Sequence, residues 1–296
     1  MLDIKKVQSI NKVTIMGVLN ELNIEEKQTS DGREYVQGVA TIKVDQEIGG
    51  KTVENEIPVR MFSMRLKKDK TKNAVYDSIV KMKEDFISLA AAETPSQASK
   101  VLITGGQIQE SIWLDKQTNQ PRTGFQISSN FMRKAGADDE ENARFELSGV
   151  VGDIKEELNK DGEETGRLIV KFIVIGYLGK ADVIQLIAEN PAAVNHIRTK
   201  WEKGDTVTLT GAINMSYTVK TWTEEQGFGE PIKRTRTESK RELIITGGSP
   251  CGLEEELSYD MDTIKLALDE RQGRIDALSV KKPTNTTSDK SFNVGF

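Results

Sequence analysis

"NKVTIMGVL" (residues 11–19) decides how this chain is read. Val13, Ile15, Gly17 and Leu19 fall at every second position, the spacing of a strand with one buried face. The layout returns about 130 residues later in "FELSGVVGDIKEELN" (145–159). A chain of 296 residues has room for two ordinary domains, so a duplicated unit is the first organisation to test.

Working outward from the first copy, a polar loop with Asp31-Gly32 leads to the alternating run "EYVQGVATIKV" (34–44). A Gly-Gly turn then precedes "VENEIPVRMF" (53–62). These are strands and hairpin turns by their signals. Val75, Ile79, Met82, Phe86 and Leu89 have helical spacing, predicting a helix over 73–92. Strands resume at "KVLITGGQIQESIWLD" (100–115) and, after the turn "KQTNQPRT", at "GFQISSNFMRK" (124–134). The second copy repeats the order. "RLIVKFIVIGY" (167–177) is apolar on both faces and runs into a stretch read as helical over 180–202, with no separate third strand. A long hairpin follows, from "DTVTLTGAINMSYTVKTW" (205–222) to "KRTRTESKRELIITG" (233–247).

Five short strands with a helix between the third and fourth is the plan of the OB-fold, a small Greek-key barrel that binds ligands on strands two and three and the adjoining loops. The expected class is therefore mainly β with helices: two tandem OB-fold barrels plus a C-terminal helix and a flexible tail. The expected boundaries are 1–134 for the first barrel, 135–143 for an acidic linker and 144–250 for the second barrel. A helix over 251–278 carries Leu257, Met261, Ile264, Leu268 and Ile275 as an apolar stripe, and a disordered tail covers 279–296.

At this point the chain resembles bacterial-type single-stranded DNA-binding proteins. "NKVTIMGVL" looks like their opening strand, "PVRMF" (58–62) like the end of their third, and "GGQIQESIW" (105–113) like their Gly-Gln-Leu segment with its following tryptophan. "GYLGKAD" (176–182) is similar to their strand-to-helix junction. The resemblance covers most of 8–134 and parts of 145–247. It implies binding of single-stranded DNA without sequence preference in replication, recombination and repair. The family's acidic tail is reduced here to "SDKSFNVGF", with Phe292 and a terminal Phe296.

Composition limits the alternatives. Net charge is −5, but it is unevenly spread: residues 1–137 carry +3, 138–249 carry −5 and 250–296 carry −3. A single cysteine, Cys251, rules out an internal disulfide. A lone histidine, His196, on an amphipathic stretch reads as structural, leaving no set of ligands for zinc and no histidine-based catalytic triad. No metal, cofactor or catalysis is expected. The glycine pairs in "LITGG" and "IITGGS" lack a dinucleotide fingerprint and fit barrel bends better. No apolar leader or membrane-length run is present, so a cytoplasmic protein without membrane contact is expected.

Sequence-tolerant binding of a single strand needs cations along the phosphates and aromatic faces against the bases. Strand parity puts Trp113 and Trp222 outward, with Tyr35, Lys43 and Arg60 also outward and Phe62 at a strand end. The same parity assigns Tyr217, Phe125 and Phe131 to core faces. Two basic clusters supply phosphate contacts: "RLKKDKTK", with Arg65, Lys67 and Lys68, and "KRTRTESKR", with Lys233, Arg234, Arg236, Lys240 and Arg241. Lys220 shares the outward face of Trp222, and Arg122, at the end of the turn "KQTNQPRT", is a further candidate phosphate contact. The expected partner is single-stranded DNA, with replication or recombination proteins recruited through the C-terminal helix or the Phe296 tail. Two barrels per chain suit a homodimer as a four-barrel assembly, and the compact tandem form suits a phage or mobile element. The rival reading is an OB-fold protein-interaction or structural module, such as a phage assembly or replication accessory factor. For it, the doubly apolar "RLIVKFIVIGY" suggests that the second unit is buried against something other than DNA. A nuclease lacks the clustered carboxylates it would need.

Overall fold

The structure, a computed structural model, describes residues 1–224, 226, 228 and 231–279. The first unit contains β1 (Asn11–Gln28), β2 (Glu34–Ile48), β3 (Lys51–Met64), α1 (Ala74–Asp85), β4 (Lys100–Leu114), β5 (Pro121–Ser128) and the short β6 (Arg133–Lys134). β1 serves two neighbours: Val18–Gln28 pair with β2 and Val13–Val18 pair with β4, with a bulge after Leu19. β2 pairs with β3, β3 runs parallel to β5 at Val59 and Arg60, and β5 pairs with β4. The ring closes in the order β1-β2-β3-β5-β4-β1, a five-stranded OB barrel. Its interior is the expected alternating set: Val36, Ala40, Ile42, Val44, Ile57 and Val59 are fully buried. Asn73 caps α1 by accepting the Val75 amide at 3.2 Å, and Tyr76, Ile79 and Met82 plug the barrel. The helix stops at Asp85 rather than near 92, because the Phe86 backbone turns extended and the Leu89 amide bonds the Leu19 carbonyl instead.

The second unit contains β7 (Asn142–Leu158), β8 (Glu164–Ile175), β9 (Ala181–Ala188), α2 (Pro191–Lys200), β10 (Thr206–Asn214), β11 (Tyr217–Glu224), β12 (Ile232–Ser239) and β13 (Glu242–Gly248). Pairing again closes a ring, β7-β8-β9-β13-β10-β7, with β9 and β13 parallel. The expectation of a helix over 180–202 without a third strand is corrected. Residues 181–188 form β9, and the helix starts only at Pro191, after Asn190 accepts the Ala192 amide. The strand lacks clear alternation because Val183 and Ile187 on its outer face are apolar and at least half-buried, leaving Gln185 exposed between them. Trp201 closes this barrel, fully packed, with its indole N–H donating to the Ser249 carbonyl at 3.0 Å. His196 lies beside Trp201 with its Nε2 3.3 Å from the same carbonyl oxygen, a structural position.

The two barrels are joined through their opening strands. Residues 11–16 of β1 pair antiparallel with residues 142–147 of β7. Gly17 and Gly149 hold equivalent places: a methyl at either would overlap the carbonyl oxygen of Lys43 or of Ile173. With those glycines matched, the pairs Asn11–Leu147 and Ile15–Ala143 are one pair read from its two sides. A local two-fold axis therefore passes through Val13 and Phe145. One continuous hydrophobic core runs through both barrels across this seam.

α3 (Met261–Ser279) packs across the second barrel, and the N-terminal residues lie beside it. Ile4, Tyr259, Ile264 and Ala267 bury Val150, Ile173 and Ile175. The tip of the β2–β3 hairpin, with Ile48 and Val53, covers Ile169, Ile187 and Ile244. The doubly apolar β8 is thus covered by the chain itself. Of the expected stripe, Ile264 and Ile275 are buried, whereas Leu257 precedes the helix in a short 3-10 turn and is exposed. Phe292, Phe296 and the rest of the expected tail beyond Ser279 lie outside the described residues. Among the described residues, no helix is long and apolar enough to cross a membrane.

Candidate nucleic-acid interface

The outer face of the first barrel is an open cleft of about 810 Å³. Its walls come from β1, β2, β3, β4 and β5, and its rim from the turn after β5. Parity explains what lines it: if Val36, Ala40 and Ile42 face inward, then Gln37 and Val39 must face outward, and Arg60 and Phe62 do so on β3. Gln107, Gln109 and Gln126 form a neutral polar floor, each able to donate and accept.

Phe62 is 54% exposed, a large apolar ring left in solvent. It is oriented on both sides. Its amide donates to Asn130 Oδ1 at 3.0 Å, and the Tyr35 ring sits 5.6 Å away at a tilt of 37°. Phe131 is 64% exposed and lines the same cleft, which corrects its assignment to the core. β5 ends at Ser128, so alternation has no meaning at 131. There the Ser129 hydroxyl bonds both the Phe131 carbonyl (2.9 Å) and its amide (3.3 Å), fixing a turn.

Trp113 projects from the same face of β4. The cross-strand partners Gln107–Ser128, Gln109–Gln126, Ser111–Gly124 and Trp113–Arg122 form a ladder from the cleft floor outward. The indole lies over Gly124, and a methyl there would come within 3.1 Å of two ring carbons. Glycine thus lets the ring lie flat against β5, half exposed. Arg122 next to it is 3.5 Å from Asp115.

Other sequence-predicted cations lie elsewhere. Lys43 Nζ is held by Glu54 at 2.9 Å and Glu56 at 3.7 Å, and its pKa is raised chiefly by the Glu54 bond. Arg65 is paired with Glu34 at 2.6 Å. Lys67 and Lys68 are exposed in the turn between β3 and α1 and do not line the cleft.

The second barrel contributes a different object. β11 and β12 form a two-stranded arm that leaves the barrel, with nearly every residue exposed. Trp222 pairs with Arg234 and Lys220 with Arg236, so one face carries an indole among three cations. Arg234 is bonded to Glu224 and Lys220 to Glu238, both at 2.7 Å, while Lys233 points to the opposite face. Tyr217 is 45% exposed, which corrects its core assignment. The barrel ends at Met215, whose amide is bonded to Asn55 Oδ1 at 2.7 Å, so Tyr217 has no interior to face. Its hydroxyl instead reaches Glu56 at 3.4 Å.

The second barrel's own outer face is partly covered by α3 and the N-terminal residues. A cleft of about 710 Å³ remains there, bordered by Met261, Leu268 and Arg271 of α3 and by Thr123, Gly124 and Phe125 of β5. Glu110 on β4 is buried and bonded to the Arg271 guanidinium, whose Nε donates at 2.7 Å. Among the described residues, no group of three or more His, Cys, Asp or Glu side chains is placed to hold a metal ion.

The model of a family described as YorF matches residues 9–281 of this chain. Among solved structures, the wild-type single-stranded DNA-binding protein from Thermus aquaticus is similar at 11% identity and a TM-score of 0.48. That match covers 86% of this chain and 99% of the other. A deletion mutant of the same protein gives the same identity and TM-score over 84% and 97%. No curated protein matches the chain.

Proposed function

The chain belongs to the YorF family, and we propose that it binds single-stranded DNA without sequence preference, by base stacking and phosphate contacts and without a chemical step. The observation that carries this reading is the open cleft of the first barrel. Three aromatic side chains, Phe62, Phe131 and Trp113, are exposed on or beside one sheet face, with Arg60 and Arg122 next to them. A ring left in solvent and fixed by its neighbours is costly for folding alone and suited to stacking on a base. The glutamine floor meets base edges with donors and acceptors in equal measure, which discriminates weakly among bases. Such a protein would protect transient single strands in replication, recombination or repair.

The test is titration with oligo-dT while following tryptophan emission at rising salt. Salt-sensitive quenching is expected. Phe62→Ala and Trp113→Ala are each expected to weaken binding by roughly 5- to 150-fold, the worth of one stacked base. Phe125→Ala, in the core, should weaken it less at equal folded fraction. Absence of binding at low salt would overturn the proposal in favour of a protein-interaction module.

A further inference from the structure

The cleft beside α3 on the second barrel is similar in size to that of the first and different in chemistry. Its floor is aliphatic: Ile173, Val183 and Ile187 come from the barrel, and Met261 and Leu268 of α3 run along one side. It offers no ring for a base to stack on. Phe125, the aromatic residue in its lining, is buried. The Arg241 guanidinium lies 5.1 Å above the Phe125 ring centre, and its Nη2 donates to the Phe125 carbonyl at 2.6 Å. In the first cleft, by contrast, Phe62 and Phe131 are both exposed.

The rim of this second cleft is cationic. Lys171 on β8, Lys203 in the turn before β10, and Lys240 and Arg241 between β12 and β13 all line it and are exposed. None of the four is ion-paired among the described residues. The other charged residues of the lining are already matched: Glu157 and Glu242 are held by Arg167, at 3.3 and 2.9 Å, and Arg271 by Glu110. The stretch 138–249, which contains all four cations, carries a net charge of −5, so a basic surface at large does not account for them. An aliphatic side chain seated on the floor would release water from both surfaces, and carboxylates flanking it would meet the rim. A nucleic-acid strand supplies the anions but not the aliphatic groups.

We propose that this cleft is a docking site for an acidic peptide of a partner protein, one in which Asp or Glu residues flank Leu, Ile or Val anchors. The two barrels then hold ligands of different kinds, the first a strand against its rings and the second a protein against its aliphatic floor. β5 stands between the two sites, with Gln126 lining the first cleft and Phe125 the second. The clefts share no lining residue, so strand and partner are held at the same time.

The experiment is fluorescence anisotropy of a labelled synthetic peptide repeating Glu-Leu-Asp-Ile, titrated with the full chain at low salt, where rim charges are least screened. Saturable binding is expected. Lys171→Glu combined with Lys203→Glu, at two exposed positions, is expected to weaken it by about 10-fold. The corresponding pair of alanine substitutions, which adds no carboxylate, should weaken it by about 3-fold. A peptide with Ser in place of Leu and Ile should bind at least about 10-fold more weakly than its parent. Saturating oligo-dT should leave peptide binding unchanged. No saturable binding, equal binding by the doubly substituted chains, or equal binding of the serine peptide overturns the proposal. So does displacement of the peptide by oligo-dT, which gives the cleft to the strand. A wild-type dimer that the glutamate pair dissociates overturns it too, because the cleft then belongs to a second copy.

Discussion

Lys43 and Ile173 occupy the same place in the two barrels, each with its carbonyl pressed against the equivalent glycine. Lys43 faces solvent between two glutamates, whereas Ile173 lies under Ile4 and α3. The difference extends along the face: Val39 and Arg60 in the first barrel correspond by register to Ile169 and Ile187 in the second. One scaffold thus presents a polar, ring-studded cleft in one copy and an apolar seat in the other. The inner residues that close the barrels tolerate this, because in a strand the outward positions are chemically independent of the inward ones.

The sharpest way to break this comparison is to exchange the two residues. Ile173→Lys puts a charge beneath α3 without a partner, at an expected cost of about 4–5 kcal/mol in urea unfolding. Lys43→Ile should change stability by less than about 1 kcal/mol. Similar costs for both would mean that Ile173 is not truly covered. Arg271→Ala comes next. It leaves Glu110 buried and unpaired between β4 and α3, and about 3 kcal/mol is expected to be lost. Hydrogen exchange of the α3 amides should accelerate while those of α1 do not.

The smallest effect separates the two capping helices by pH. The Tyr76 hydroxyl donates to Glu26 Oε2 at 2.6 Å, and that bond, then burial, pushes its pKa up to about 12. A folded pKa above the unfolded value of about 10 gives stability that is complete below pH ~10 and is lost as pH rises through ~12. Tyr76→Phe should flatten the fall in urea midpoint over that range. The second barrel's counterpart anchor, the Trp201 indole N–H on Ser249, does not titrate there, so Trp201→Phe should leave the pH profile unchanged.

Where one face of a strand met solvent, alternation in the sequence was enough to place it, as for Val36, Ala40, Ile42 and Val44. It failed for β9 because covering the outer face removes the polar half of the pattern. Asn190-Pro191, a cap followed by a proline, marks the true helix start and was the available signal. In the cleft, Arg60 and Phe62 were legible as outward positions, whereas Phe131 and Tyr217 were misassigned because parity was carried past the end of a strand. Arg241 could be seen only as one charge in a basic run. Its contact with Phe125 spans more than a hundred residues of sequence, and no local pattern encodes that meeting.

The local two-fold through Val13 and Phe145 has one more consequence. In a dimer of identical chains, the residue on such an axis meets its own copy, so any substitution there is made twice and must be self-compatible. Here a small branched side chain meets a large aromatic ring, and Gly211 on β10 leaves the room that ring needs. Covalent fusion of the halves permits a mismatched pair that no self-facing interface can contain. Each half has therefore been free to drift alone, and one barrel could become a platform while the other stayed open.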